Sequence, residues 1–301
     1  MNTKQLEYVQ VLAREESFSR AADALNISQP SLSQYIKKIE TEIGLPLFDR
    51  TNGNVRLTDA GHVYLSSGKQ ILDLEQQMNA HFQDLSENKA GTLKIGTSPF
   101  RSAAMMPAIA KYFRSIYPGM HLVIDEMESG ELLESCAHGD FDFCLTVLPK
   151  DGTGFDYQTI TREEMVLAVP AHMQQPDATP MAGRKYDAID AGQLNGMPFV
   201  MITKFQVMQK ALDSLCQSHN LHISKAAVVK SLEAQIAMVQ AGVGVALVPT
   251  GIERFCNKDE VRFYSFVQPL PEREVVALWR KGRYLSQPAR DLIEGMRNMN
   301  W

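Results

Sequence analysis

Gln29, Pro30, Ser31, Ser33, Gln34 and Lys37 fall within one stretch. At about 100° per residue, Gln29, Pro30, Ser33, Gln34 and Lys37 share one polar arc of a helix. Amide, hydroxyl and ammonium groups on such an arc can bond base edges and phosphate oxygens of DNA. Arg50 and Arg56 follow, and their guanidiniums suit flanking phosphates. A second set of polar residues stands where predicted strands give way to helices. Ser98, Phe100 and Arg101 follow a strand at 92–97, and Ser129 follows one at 121–127. Thr146 lies near the end of a strand at 141–148, and Thr203, Lys204 and Phe205 follow one at 199–202. Ligands of open α/β sheets bind at strand ends, where helix N-termini present backbone N–H groups. Each hydroxyl is equally a plain helix cap. With Arg101 and Lys204 at hand, an anionic small molecule is favoured over a neutral one.

The elements that must carry these residues can be read from spacing. A first helix spans 3–15, with Leu6, Val9, Leu12 and Ala13 on its inner side. Ser17 is placed to cap a second helix in which Phe18, Ala21, Ala22 and Leu25 share an apolar side. Asn26-Ile27-Ser28 breaks that pattern, and Ser28 caps a third helix with Pro30 in its first turn, where a missing N–H costs nothing. Leu32, Ile36, Ile39 and Ile43 form its buried stripe, and Gly44 is its expected C-cap. The Ala21-Ala22 pair lets two helices approach closely, and the polar arc lacks the Glu/Lys ladder of a solvated helix. Both features favour a DNA-reading helix-turn-helix over residues 18–37.

Beyond Gly44, strand-like runs at 47–50 and 55–57 flank Asn52-Gly53, a strong hairpin-turn signal, and predict a wing. Thr58-Asp59 then opens a helix running to about residue 88, with Ile71, Leu74, Met78, Phe82 and Leu85 at coiled-coil-like intervals. A helix with one apolar seam is marginal alone and calls for a second copy of itself.

Residues 87–91 mark a boundary, after which strands and helices alternate and predict a parallel sheet with flanking helices. Helices are expected at 102–117, 130–138, 205–220, 232–241 and 287–299, with further strands at 165–169, 226–230, 245–248 and 274–280. Residues 176–192 read as an extended surface loop.

The 301 residues carry a net charge of −5, and 22% are charged. Residues 1–58 hold seven Lys/Arg against seven Asp/Glu, so DNA affinity must come from the placement of charge. The opening MNTKQLEYVQ lacks the apolar run of an export signal, and the apolar stretch 236–249 is too short to span a bilayer. A cytoplasmic protein without membrane attachment is expected. Cys136, Cys144, Cys216 and Cys256 show no CxxC spacing and read as inert thiols. Cys216, His219 and His222 lack a fourth ligand nearby, so a metal site is disfavoured. No GxSxG, P-loop or HExxH motif points to catalysis.

The run FSRAADALNISQPSLSQYIKKIETEIGLPLFDRTNGNVRLTDAG resembles the N-terminal signature of LysR-type transcriptional regulators. The matches are Ala21-Ala22, Ser28 to Ser31, Ser33, Ile36, Ile39-Glu40, Gly44, Leu47-Phe48, Arg50, Leu57-Thr58 and Gly61. The remainder has the family's length and layout. The resemblance implies an α/β protein with an N-terminal winged helix-turn-helix (1–58) and a dimerising linker helix (59–90). A two-lobed effector domain (91–301) resembling periplasmic solute-binding proteins follows, with lobes at 91–162 plus 268–301 and at 163–267. It implies a double-stranded DNA operator, a small-molecule effector between the lobes and a homodimer or homotetramer. Neither a catalytic residue, a metal nor a cofactor is expected. The alternative is the same DNA-binding module governed by a thiol-redox or metal signal.

Overall fold

The structure, a computed structural model, describes residues 3–50, 55–85, 91–203 and 207–301. Three helices open the chain: α1 (Thr3–Glu15), α2 (Phe18–Ala24) and α3 (Gln29–Ile43). Their ends obey local chemistry. Ser17 Oγ accepts from the Arg20 N–H at 3.4 Å, and Ser28 Oγ accepts from the Ser31 N–H at 3.3 Å. Asn26 takes a left-handed φ of 53° in the turn, which short polar residues tolerate best after glycine. Gly44 ends α3 with φ 80°. Val9, Leu12, Ala21, Ala22, Leu32 and Ile36 form the head's core. Ile43, expected in the buried stripe, is 40% exposed. It is the last residue of the helix, one turn beyond buried Ile39.

Two short strands follow, β1 (Phe48–Asp49) and β2 (Arg56–Leu57), paired antiparallel with Phe48 opposite Leu57. The expected Asn52-Gly53 turn lies outside the described residues. Helix α4 (Asp59–Leu85) starts where Thr58 Oγ1 accepts from the Gly61 N–H at 3.1 Å. Its apolar seam is open: Ile71, Leu74, Met78 and Phe82 are all about half exposed or more. The expected end near residue 88 and most of the boundary at 87–91 lie outside the described residues.

The first effector sheet is built from β3 (Gly91–Thr97), β4 (Met120–Glu126), β5 (Phe143–Val147) and β6 (Phe155–Glu163). Helices α5 (Pro99–Ile116) and α6 (Ser129–His138) connect its first three strands. The chain then enters the second lobe, where β7 (Met165–Pro170), β8 (Ala188–Ile189), β11 (Ala246–Pro249) and β12 (Val261–Phe266) form a second sheet and β9 (Pro198–Ile202) and β10 (Ser224–Val229) a parallel pair beside it. Helices α7 (Val207–Ser218) and α8 (Leu232–Gln240) flank it. Strand β13 (Arg273–Arg280) returns to the first sheet, and α9 (Gln287–Arg297) closes the fold.

Strand order in the first sheet is β4-β3-β5-β13-β6. Strands β4, β3 and β5 run parallel, whereas β13 is antiparallel to β5 and β6. The sheet is therefore mixed rather than parallel throughout: β6 leaves for the second sheet and β13 comes back from it beside β6. Strand β6 escapes sequence reading because it is a half-exposed edge without an apolar run. Strand β12 does so because Arg262, Tyr264 and Ser265 interrupt its apolar residues. In the second sheet β11 and β12 flank β7 antiparallel, and β9 joins β11's approach through a Phe199–Val245 bridge. The stretch 176–192 is not all surface loop, since Ala188 and Ile189 are buried and pair with β12. Each sheet has its own core, the first holding Ile95, Phe113, Phe143 and Leu145 and the second Val166, Phe199, Val248 and Ile252.

Candidate nucleic-acid interface and effector cleft

On α3 the buried stripe and the polar arc separate cleanly. Leu32, Ile36 and Ile39 are sealed, while Gln29, Pro30, Gln34 and Lys37 are exposed and Ser33 is half-buried. The Ser31 hydroxyl is not free, because it shares a 2.7 Å hydrogen bond with Ser28 Oγ at the cap. Tyr35, off the arc, meets the Tyr8 ring edge-on, with centroids 5.0 Å apart. The base of the wing is tied to the same helix by Glu40. Its Oε1 accepts from the Leu47 and Phe48 N–H groups at 2.9 and 3.2 Å, and its Oε2 accepts from Arg50 at 2.9 Å. Arg50 also lies over the Phe18 ring, 5.0 Å from the centroid. Arg50 therefore braces the wing against α2 and α3, and its charge is largely met by Glu40. Arg56 is exposed.

The effector residues divide into those at a shared sheet edge and those drawn into the protein. Thr97 stands opposite Glu126 on one side and Leu145 on the other, so the ends of β3, β4 and β5 lie together. Ser98, Ser129 and Thr146 share that edge. Ser98 Oγ accepts from the Arg101 N–H at 3.5 Å and so serves as the cap of α5. Ser129 opens α6 with its side chain exposed and makes no cap bond. Thr146 is buried to 7% exposure. Thr203 follows β9 in the other lobe, half-buried, and donates its N–H to Val229 at 3.0 Å. Lys204 and Phe205 lie outside the described residues.

Phe100 and Arg101 do not line an open cleft. Phe100 is 5% exposed and packs into the second lobe's core, 5.9 Å from the Phe255 ring. Arg101 is sealed too, donating from Nη1 and Nη2 to Glu163 Oε1 and Oε2 at 3.1 and 3.0 Å. The reason is the same for both: the start of α5 packs against the second lobe at residues 250–255, and apolar or paired side chains must fill that seam.

Glu163 and Arg273, absent from the sequence reading, complete this cluster. They stand where the chain leaves and re-enters the first sheet. Arg273 Nη1 is 3.9 Å from Glu163 Oε2 and 3.3 Å from the Met208 sulfur of α7, while its buried Nε has no hydrogen-bond partner among the described residues. Burial by itself would raise the Glu163 carboxyl; Arg101, then Arg273 and Arg254, outweigh it and hold the group below 4.5. Burial, then Arg101, pushes the Arg273 guanidinium down to about 10. Two buried cations thus share one carboxylate, and one of them points a donor at nothing better than a thioether, a weak acceptor.

Cys144, Cys216 and Cys256 are held as thiols. Burial, then the neighbouring Cys136, raises the Cys144 thiol; burial, then Glu253, pushes Cys256 up to about 11; burial, then Asp213, raises Cys216. Nucleophilic or metal-binding cysteines need the opposite shift. The His219 ring is occupied with Ser218 Oγ at 2.9 Å. Among the described residues no group of three or more His, Cys, Asp or Glu could hold a metal ion, and no helix is long and apolar enough to cross a membrane.

A winged helix-turn-helix head, a linker helix and two lobes around a junction define a DNA-binding regulator with a small-molecule-binding domain. Residues 3–62 match the family described as bacterial regulatory helix-turn-helix protein, lysR family, and residues 86–300 match the LysR substrate binding domain. The chain belongs to the LysR family of transcription regulators, which are not enzymes. It is 28% identical to the uncharacterized HTH-type transcriptional regulator YcgK of Bacillus subtilis, over 98% of this chain and 93% of that protein. It is 26% identical to the DNA-binding transcriptional dual regulator OxyR of Escherichia coli, over 99% and 95%. A full-length OxyR variant from Pseudomonas aeruginosa shares its fold, with a TM-score of 0.75 at 24% identity over 100% and 96% of the two chains.

Proposed function

We propose that the chain acts in the cytoplasm as a homodimer or homotetramer that reads an operator with α3. Gln29, Ser33 and Gln34 face base edges in the major groove. Lys37 and Arg56 take flanking phosphates, Pro30 and Ser31 lie against the groove wall, and Arg50 holds the wing in place. The observation that carries this reading is the polar arc of α3: Gln29, Pro30, Gln34 and Lys37 are open to solvent beside a sealed core, and Lys37 has no ion pair among the described residues. Subunits pair through the exposed seam of α4, since Ile71, Leu74, Met78 and Phe82 form an apolar stripe left open among the described residues.

The effector is a small anion held between the lobes. Ser129, Thr146 and Thr203 supply hydroxyls, Ser98 orders the start of α5, and Arg273 is a buried cation at the junction with an unmet donor. Arg101, spent on Glu163, supports the junction rather than the ligand. A thermal-shift screen of the full chain against small carboxylates and phosphates tests this, because a ligand of the native state raises its melting temperature. A binder that stabilises the parent but not Arg273→Met supports an anion at the junction. Equal stabilisation of both chains places the ligand elsewhere.

A further inference from the structure

Asp73 lies in the middle of α4 and is 2% exposed, an unusual depth for a carboxylate on a linker. Its charged partners come from the effector domain. Arg280 Nη2 stands 2.5 Å from Oδ2, and Arg283, itself buried, pairs with Oδ1. Arg283 also donates to the Gly139 carbonyl at 3.3 Å. Gly139 ends α6 with φ +83°, and any Cβ there would overlap the Asp73 carboxyl group. The close approach of α4 to α6 therefore depends on that glycine. One turn on, Gln77 bridges the two parts: its Nε2 donates to Asp73 at 2.9 Å and its Oε1 accepts from the Tyr284 N–H at 2.9 Å. Further along, Asp84 accepts from the Tyr284 hydroxyl at 2.7 Å and the Gln287 N–H at 2.8 Å.

Toward its other end α4 packs on α1. Gly68 leaves room for Leu6 of α1, where a Cβ would overlap the Leu6 side chain. The exposed apolar seam occupies a different face of the helix from Asp73, Gln77 and Asp84, so cis packing and pairing with a second copy do not compete. Buried charges met by partners from another domain fix geometry, because any other arrangement strands them.

We propose that Asp73, Gln77 and Asp84 latch the linker helix to the first lobe of its own chain. The DNA-binding head and the first lobe then form one body, and a ligand acts by moving the second lobe against it. These three are positioning residues for the DNA response, engaged with partners in their own chain. The statement about ligand action rests on the effector reading above, whereas the latch itself does not.

Hydrogen exchange on the full-length parent, Asp73→Asn and Asp84→Ala tests the latch without any ligand. Amides of residues 70–85 should exchange about tenfold faster or more in both variants, as a lost buried charged partner implies. Amides of α3, β3 and β5 should keep the parent's rates. Parent-like exchange in α4, or acceleration spread evenly through the first lobe, overturns the latch. A second arm uses duplexes selected from random DNA by the parent chain, with the half-site spacing then lengthened. The parent should discriminate against the longer spacing and Asp73→Asn should do so less. Equal discrimination alongside faster α4 exchange overturns the role of the latch in placing the heads. Failure to find an effector leaves both readouts standing.

Discussion

Arg101 and Glu163 meet in a two-point ion pair, at 3.1 and 3.0 Å, that joins the start of α5 to the residue where the chain leaves the first sheet. Removing one partner strands a buried charge. Arg101→Met should therefore cost about 3–5 kcal/mol, read by urea unfolding of the full chain. Adding Glu163→Gln to it should recover part of that loss. A single variant within about 1 kcal/mol of the parent would mean that Arg273 takes over the carboxylate unaided.

The same pair sets a pH dependence. Glu163 has a folded value held below 4.5. Its stabilising contribution is thus complete above that ordinary value and is lost as pH falls through the lower folded one. The gap in Tm between the parent and Glu163→Gln should be widest near neutrality and close as pH drops below 4.5. A gap that stays constant into the acid range would contradict the assignment.

Local chemistry was legible in the sequence, and long-range pairing was not. Ser17, Ser28, Gly44 and Thr58 announce helix ends because each acts on backbone groups within three or four residues. The stripe of α3 is readable for the same reason. Arg101 reads in sequence as an unpaired cation because its partner Glu163 lies 62 residues away, on a strand that has no apolar run to reveal it. Phe100 gives no sequence sign of its packing either, since the core it enters belongs to the other lobe. Asp73 and Gln77 have the composition of a solvated face, and only the arrival of Arg283 and Tyr284 from the end of the chain makes that face an interface.

The wing arginines should behave differently. Arg50 is already neutralised by Glu40 at 2.9 Å, so Arg50→Ala should weaken every duplex by loosening the wing while leaving the salt slope close to the parent's. Arg56→Ala should lower the slope by about one phosphate contact. Binding isotherms across salt separate the two, and identical slope changes would show that Arg50 leaves Glu40 to take a phosphate.

Pairing through α4 predicts that Met78→Lys disrupts assembly, because the seam would bury an unpaired ammonium. Sedimentation of the full chain should show a shift toward monomer. An unchanged assembly would place the subunit contact on another face.

Base reading by α3 is tested most directly with Gln29→Ala on operator duplexes selected by the parent and on scrambled duplexes of the same length. The variant should lose about 1–3 kcal/mol on the selected sequence and little on the scrambled one, since a base-edge contact is lost and phosphate contacts remain. Equal losses on both duplexes would contradict a reading role for the polar arc of α3.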